Sequence, residues 1–397
     1  MTLISPASTV VRSLSPSWTQ QAELPAEISD EPAMTWIRPQ FDADTVNRAG
    51  DEIRKTGSQL DPETLRVVYN WRMAHAFPLN TVKASLRNNC LRVDKHAVVV
   101  SRIKRFQTIR QKLRRIPTLT LYEMQDLGGA RAIFPECSSI DRLLAFYEPA
   151  AMRRAGYLSE VIRCNNYIDQ PKRDGYRSAH LIFRFKGTRP VWDGLFVEAQ
   201  VRSQMQHSWA TTVEILETIL KQRLRTSHGD ASWKRFLALM SSAIALEEAR
   251  PTVPHTPSDI DEIRREILGI DSSIHVKGTL RGVINAITRA PKSGSGSTWT
   301  VLDMRPEEDK TSVFSFPRDR FSEAARKLAE VERAISSGEV DDPGANAVLV
   351  SVPSIEALRE TYPNYYLDAG AFLTLFDRLI LQQSGGGTVP SVPVPSA

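Results

Sequence analysis

The chain has 397 residues, of which 41% are hydrophobic and 24% charged, with a formal net charge of +5. This is ordinary for a soluble globular protein of two or three domains, and the mild basic bias permits a polyanionic partner without demanding one. No run of about eighteen apolar residues occurs, which excludes a membrane-spanning helix, and Cys90, Cys137 and Cys164 sit at spacings that match neither a zinc site nor a disulfide framework.

Residues 1–35 are rich in Ser, Pro and Thr and are expected to be disordered, with no signal peptide among them. Two or three helices are expected over 36–89. Asp44-Thr45 and Asp61-Pro62-Glu63 read as helix starts, and Pro78 reads as a stop. Ala97 to Arg115 reads as one long basic helix. Its stretch SRIKRFQTIRQKLRR holds seven Lys or Arg and no acid, a pattern that suggests phosphate nearby. Gly129 to Phe134 reads as a strand, Ser139 to Ala155 as a helix, Leu158 to Ile162 as extended and Asn165 to Arg177 as a polar loop. Strands are expected at Ala179 to Phe185 and from Phe196, followed by helices at Met205 to Arg225, Ser232 to Glu248 and Asp259 to Ala290.

The fold class is therefore α+β, a mixed β-sheet of four or five strands flanked by helices, with an N-terminal helical extension. The expected divisions are a large domain over 36–290, a linker at 291–298 (PKSGSGST), a small C-terminal α/β domain over 299–383 and a tail over 384–397. In the C-terminal domain a hairpin, a helix at Phe321 to Ser336, a strand at Ala347 to Val352 and a last helix at Ala369 to Gln382 are expected.

Four groups carry the chemistry. They are Arg102, Lys104, Arg105 and Lys112; Asp126 and Arg131; Lys172, Arg173, Tyr176, Arg177 and His180; and Glu198, Gln200, Arg202 and His207. On the strand from Phe196, Val197, Ala199 and Val201 face one way, and Glu198, Gln200 and Arg202 face the other, about 7 Å apart. In the helix after it, Met205, Trp209 and Val213 form an apolar stripe and His207 lies off it. Two acids among many bases suit a Mg²⁺ site for nucleotide phosphates, with Asp126 and Glu198 as the natural pair. Arg and Lys would neutralise the phosphates, a carboxylate could take a proton from an acceptor hydroxyl, and Tyr176 could stack on a base. Each residue taken singly also has a plain reading, such as a surface arginine, a solvated loop lysine or a core histidine. All four groups being ordinary at once is far less expected.

SRIKRFQTIRQKL, DLGGARAIF, YIDQPKRDGYRSAHL and VEAQVRSQMQHSWA, in that order over roughly 97–220, resemble the successive motifs of the RelA/SpoT nucleotide pyrophosphokinase domain. The resemblance implies transfer of the β,γ-pyrophosphate of ATP to a ribose 3′-hydroxyl with Mg²⁺. It implies Asp126 and Glu198 as metal ligands and catalytic carboxylates, Glu198 also as base. Arg102 and Arg131 would sandwich adenine, and Lys104 and Lys112 would meet the ATP phosphates. Tyr176 would stack on the acceptor base, and Lys172, His180, Gln200 and Arg202 would line its site. His207 stands where small synthetases often carry an asparagine. No His is followed by Asp, so the hydrolase of long relatives is not expected. WIRPQFDADTVNRAG, NWRMAHAFPLN and ALRETYPNYYLD resemble the fused toxin–antitoxin branch of small synthetases. That likeness implies a cytoplasmic toxin acting on the 3′ CCA end of tRNA. A pseudo-zinc-finger C-terminal domain would hold it off through Tyr362 and Tyr365, and a phage capsid protein would release it. The alternative acceptor is GTP or GDP, which would make the chain a small alarmone synthetase. A nucleotide sensor without activity is disfavoured by the presence of both Asp126 and Glu198.

Overall fold

The computed structural model describes residues 36–55, 60–148, 159–219, 224, 229–289, 297–305, 308, 310–342, 345–351 and 365–381. The expected disordered N-terminus, most of the linker, the tail and Tyr362 lie outside the described residues.

Three helices open the chain: α1 (Ala43–Arg54), α2 (Pro62–Ala74) and α3 (Ala76–Val93). Asp42 rather than Asp44 caps α1, its carboxylate accepting from the Thr45 amide at 2.8 Å. Asp61 caps α2 in the same way, with Pro62 in the first turn, where its missing N–H has no consequence. Pro78 does not stop a helix. The break falls at His75, and Pro78 sits in the first turn of α3, where proline is tolerated for the same reason.

The expected long basic helix is two elements. Val98–Ile103 is strand β1, and the helix α4 spans only Phe106–Arg115. Three consecutive valines favour a pleated strand, and the charge run that followed them hid this. A five-stranded sheet is built in the order β1-β2-β5-β4-β3, with β2 Gly128–Phe134, β3 Glu160–Asn166, β4 Ala179–Arg184 and β5 Phe196–Ser203. β2 and β5 are parallel and the other pairs antiparallel, so the sheet is mixed. Helix α5 (Ser138–Phe146) follows β2 and is shorter than expected within the described residues.

The two faces of the sheet differ. Ala130, Ala132, Val197, Ala199, Val201, Leu181 and Phe183 are buried. This is the face of Gly128, where an added Cβ would lie 3.3 Å from Leu79 of α3, so α3 covers it. The alternating positions, Gly129, Arg131, Glu198, Gln200 and His180, point the other way.

Behind β5 lies a helical core. It contains α6 (Gln204–Ile219), α7 (Ala231–Glu247), α8 (Ile260–Ile274) and α9 (Val276–Arg289). The helix α11 (Tyr365–Phe376), with a continuation to Leu381, completes it. Trp209, Phe236, Ile263, Leu280, Phe372 and Phe376 are buried together. Phe372 and Phe376 pack edge-on and tilted against Phe236, at 6.4 and 5.9 Å between centroids. Arg264 donates to the Leu379 carbonyl (2.8 Å), and Lys277–Asp377 and Arg378–Glu247 are ion pairs at 2.6 Å. This packing explains a difference on α6. Residues 206–213 are buried on every side, so His207 is covered although it lies off the apolar stripe.

Between α9 and α11 the chain forms a three-stranded antiparallel sheet, β7-β6-β8, from β6 Ser297–Arg305, β7 Lys310–Pro317 and β8 Asn346–Ser351. Helix α10 (Phe321–Ser336) packs on it through Ala324 and Leu328, with Val301 and Leu349. Thus β6 to α10 have a small core of their own, whereas α11, expected in the same C-terminal domain, joins the helices behind β5.

Candidate active site

The basic run divides into three uses. Arg110 and Arg114 donate to carbonyls of Ile53, Arg54 and Lys55 at 2.7–3.1 Å, satisfying the open end of α1. Arg102 is exposed on β1, in register with Gly129. Lys104 and Lys112 converge on Asp126. Lys104 Nζ lies 2.8 Å from Oδ2 and Lys112 Nζ 2.9 Å from Oδ1. Burial alone would raise the Asp126 carboxyl, but the two ammonium groups outweigh it and hold the group below its ordinary range. The alternation of β1 puts Arg102 on the sheet, and the turn after it puts Lys104 over Asp126. A continuous helix would have offered neither arrangement.

Gly129 faces Glu198 across the parallel pair β2–β5, and Arg131 faces Gln200. An added Cβ at Gly129 would meet only the Arg102 carbonyl, at 3.8 Å, so the space beside Glu198 is open. Gln200 in turn is in register with His180 of β4. These pairings bring Arg102, Arg131, Glu198, Gln200 and His180 onto one face.

Glu198 is the end point of a directed set of hydrogen bonds. Arg202 is 5% exposed, and its Nη2 donates to the Tyr176 hydroxyl at 2.7 Å and to Gln200 Oε1 at 2.9 Å. Tyr176 lies 2.7 Å from His180 Nε2, and His180 Nδ1 lies 2.8 Å from Glu198 Oε1. A carboxylate only accepts, so Nδ1 carries a proton; with the ring neutral, Nε2 accepts and the tyrosine hydroxyl, which itself accepts from Arg202, donates to it. Gln200 Nε2 donates to Glu198 Oε2 at 3.1 Å. Burial by itself raises the Glu198 carboxyl and the Asp126 charge adds to that. The His180 and Gln200 hydrogen bonds prevail, and the group sits below its ordinary range. Glu198 is therefore an ionised carboxylate with lone pairs left over.

The loop from Tyr167 to Ser178 supplies an aromatic and cationic wall. Lys172 Nζ lies 4.3 Å from the centre of the Tyr167 ring and 5.0 Å from that of Tyr176, and the Arg202 guanidinium lies 5.1 Å from the latter. Tyr167 stands edge-on to His180 at 5.3 Å. Tyr167 was not singled out from sequence. Its signal was an aromatic residue opening a loop that Tyr176 closes. His207 belongs to the buried interior of α6, not to the strand row.

Asp126 and Glu198 can hold a divalent ion. Both are held ionised, the Asp126 charge acts on Glu198, and both keep acceptor capacity beyond their present partners. Two carboxylates are what Mg²⁺ takes when phosphates and water complete its shell. Among the described residues no group of three or more His, Cys, Asp and Glu is placed to hold a metal. None of their helices is long and apolar enough to cross a membrane.

Comparison with known proteins bears on this segment. Residues 101–216 match the family described as "Region found in RelA / SpoT proteins". The chain is similar to the GTP pyrophosphokinase YjbM of Bacillus subtilis (strain 168), 31% identical over 120 residues, which are 28% of this chain and 52% of that protein. It therefore spans about half the length of this curated relative. Among solved structures it is similar to the small alarmone synthetase 1 from Bacillus subtilis bound to its product pppGpp. The identity is 21% and the TM-score 0.37, over 48% of this chain and 94% of that one. A GTP pyrophosphokinase family protein from Streptococcus pneumoniae gives 20% and 0.37, over 47% and 90%. Every residue of the Asp126 and Glu198 clusters falls inside 101–216, the stretch of this chain that matches the RelA/SpoT region.

Proposed function

We propose that the chain is an ATP-dependent pyrophosphotransferase of the RelA/SpoT type. The observation that carries this reading is Glu198, an ionised carboxylate with free lone pairs beside the side-chain-free space over Gly129. In the proposed reaction the acceptor's ribose 3′-oxygen bonds to the β-phosphorus of ATP, the bond from that phosphorus to the α–β bridging oxygen breaks, and AMP leaves with the electron pair. Glu198 takes the hydroxyl proton, and His180 and Gln200 fix the direction of its two oxygens. Lys104 and Lys112 neutralise phosphate charge, and Arg102 and Arg131 bracket adenine. Tyr176 stacks on the acceptor base beside Lys172. A Mg²⁺ held by Asp126 and Glu198 supplies further positive charge to the phosphates.

GTP or GDP is the proposed acceptor, supported by the naming of the curated relative as a GTP pyrophosphokinase. A second reading, in which a toxin modifies the 3′ CCA end of tRNA under restraint by its C-terminal part, is supported by the three-stranded sheet and α11. Both lie beyond the matched region, and α11 packs among the helices behind β5. In that reading Tyr362 and Tyr365 restrain the ATP site and a phage capsid protein releases it. Incubating the protein with ATP labelled at the β- or γ-phosphate, and offering GDP, GTP and bulk tRNA side by side, decides between them. Label on none of the three overturns the transferase itself.

A further inference from the structure

Arg177 follows Tyr176 directly and is 2% exposed. Its Nη1 donates to the Ile168 carbonyl at 2.8 Å, its Nη2 to the Pro251 carbonyl at 2.6 Å and its Nε to Ser241 Oγ at 3.0 Å. The Ser241 hydroxyl donates in turn to the Gly175 carbonyl at 2.6 Å. One guanidinium thus ties the residue after Tyr167, and through Ser241 the residue before Tyr176, to α7 and to the chain beyond it. Gly175 lets the loop lie close there. Its φ is +89°, and an added Cβ would come within 2.8 Å of Trp209.

The choice of an arginine needs a reason. Its hydrogen-bond partners among the described residues are two carbonyls and a hydroxyl, all neutral. Burial draws its guanidinium down to about 10, and the largest opposing influence is the charge of Glu248, itself bonded to Ser203 and Gln206. Burying a cation against neutral groups is unfavourable, and an apolar side chain of similar volume would give a more stable interior. What the guanidinium offers instead is a rigid planar fork, with donors at fixed angles to three separate segments.

We propose that Arg177 is a positioning residue for the acceptor, setting the spacing of Tyr167 and Tyr176 so that Lys172 lies over both rings. This rests on the transferase reading above and extends it to a residue that touches neither substrate. Lys172 and Arg173 are exposed at the loop tip and make the loop a trypsin target. The rate of cleavage there therefore reports how often the loop opens, whatever the activity.

The test compares Arg177→Met and Ser241→Ala with the unaltered full chain. In Arg177→Met, cleavage after Lys172 and Arg173 rises about tenfold or more, with other sites unchanged. The KM for the acceptor rises by a similar factor while the KM for ATP holds. Ser241→Ala keeps the arginine and its carbonyl bonds and shows the same pattern at about fivefold, the effect of one hydrogen bond. It also carries the test if the methionine variant does not fold. Unchanged loop cleavage in a folded variant overturns the proposal. Faster cleavage with an unchanged acceptor KM, or with both KM values raised alike, also overturns it, since the arginine would then be only structural. If the unaltered chain labels no acceptor, the transferase reading fails instead, and the proposal falls with it even if the cleavage results show the loop to be anchored.

Discussion

Arg202 and Glu198 stand four residues apart on one strand and are joined by two polar routes, one through Tyr176 and His180 to Oε1 and one through Gln200 to Oε2. Every donor along both routes points toward the carboxylate. Neither oxygen can turn without breaking a route, and the Tyr176 ring and the Glu198 carboxylate belong to one frame.

Glu198→Gln is expected to abolish label transfer while the chain still folds, with a modest fall in melting temperature because one donor loses its acceptor. The amide is isosteric but cannot take the proton. Asp126→Asn should act likewise through the phosphates. Losses of about 10² to 10⁴ in kcat are expected, measured with labelled ATP and an active acceptor. Turnover near the parent's in either variant contradicts the site.

Tyr176→Phe and Tyr176→Ala separate two roles. The phenylalanine keeps the ring and loses both hydroxyl bonds, so it should lower kcat with little change in acceptor KM. The alanine loses the stacking surface as well, about 1–3 kcal/mol, and should raise the acceptor KM by about tenfold or more. A rise confined to the KM for ATP contradicts the stacking role.

Cutting the chain after residue 295 removes α11 with the small sheet. Phe372 and Phe376 are fully buried against Phe236, and Phe376→Ala alone should cost about 3–5 kcal/mol. The truncated chain is therefore expected to unfold at much lower denaturant than the parent. Unmasking of a toxin by the same cut requires instead a truncated chain that stays folded and binds ATP, and circular dichroism with nucleotide titration distinguishes the two.

His75 is buried between α2 and α3, its Nδ1 donating to the Trp71 carbonyl at 2.8 Å, and burial lowers it to about 4. The unfolded chain takes up that proton near pH 6.5, so stability is full above this value, falls as the pH drops toward 4 and is lost below it. The loss amounts to about 3 kcal/mol. Denaturation series between pH 7 and 4 should show this slope, and His75→Gln should flatten it.

Much of this was legible in the residues. The alternation Val-Glu-Ala-Gln-Val-Arg correctly divided β5 into a core face and a polar face, because a strand's period is fixed by its pleat. Asp126 and Glu198 stood out in the sequence because acids are scarce among those bases, and the structure places both part-buried with basic or polar partners. The strand β1 was not, since charge density drew attention from three β-branched residues before it. Nor was the use of Arg110 and Arg114 readable. An arginine that closes a helix end looks, in sequence, like one that meets phosphate, and only the position of α1 tells them apart. The burial of His207 reflects a helix covered on every side over 206–213, and no local pattern carries that.

Distance along the chain has a temporal meaning. Arg378 reaches Met205 across 173 positions of chain, so the helices packed behind the 167–178 loop have to wait for a segment synthesised long after them. Until residues 365–381 emerge, the core of α6 to α9 lacks Phe372, Leu375, Phe376, Leu379 and Ile380 and is incomplete. On a ribosome, the strand carrying Glu198 is made early but gains its final backing late. A nascent chain therefore reaches its fully packed state only after its last helix has emerged.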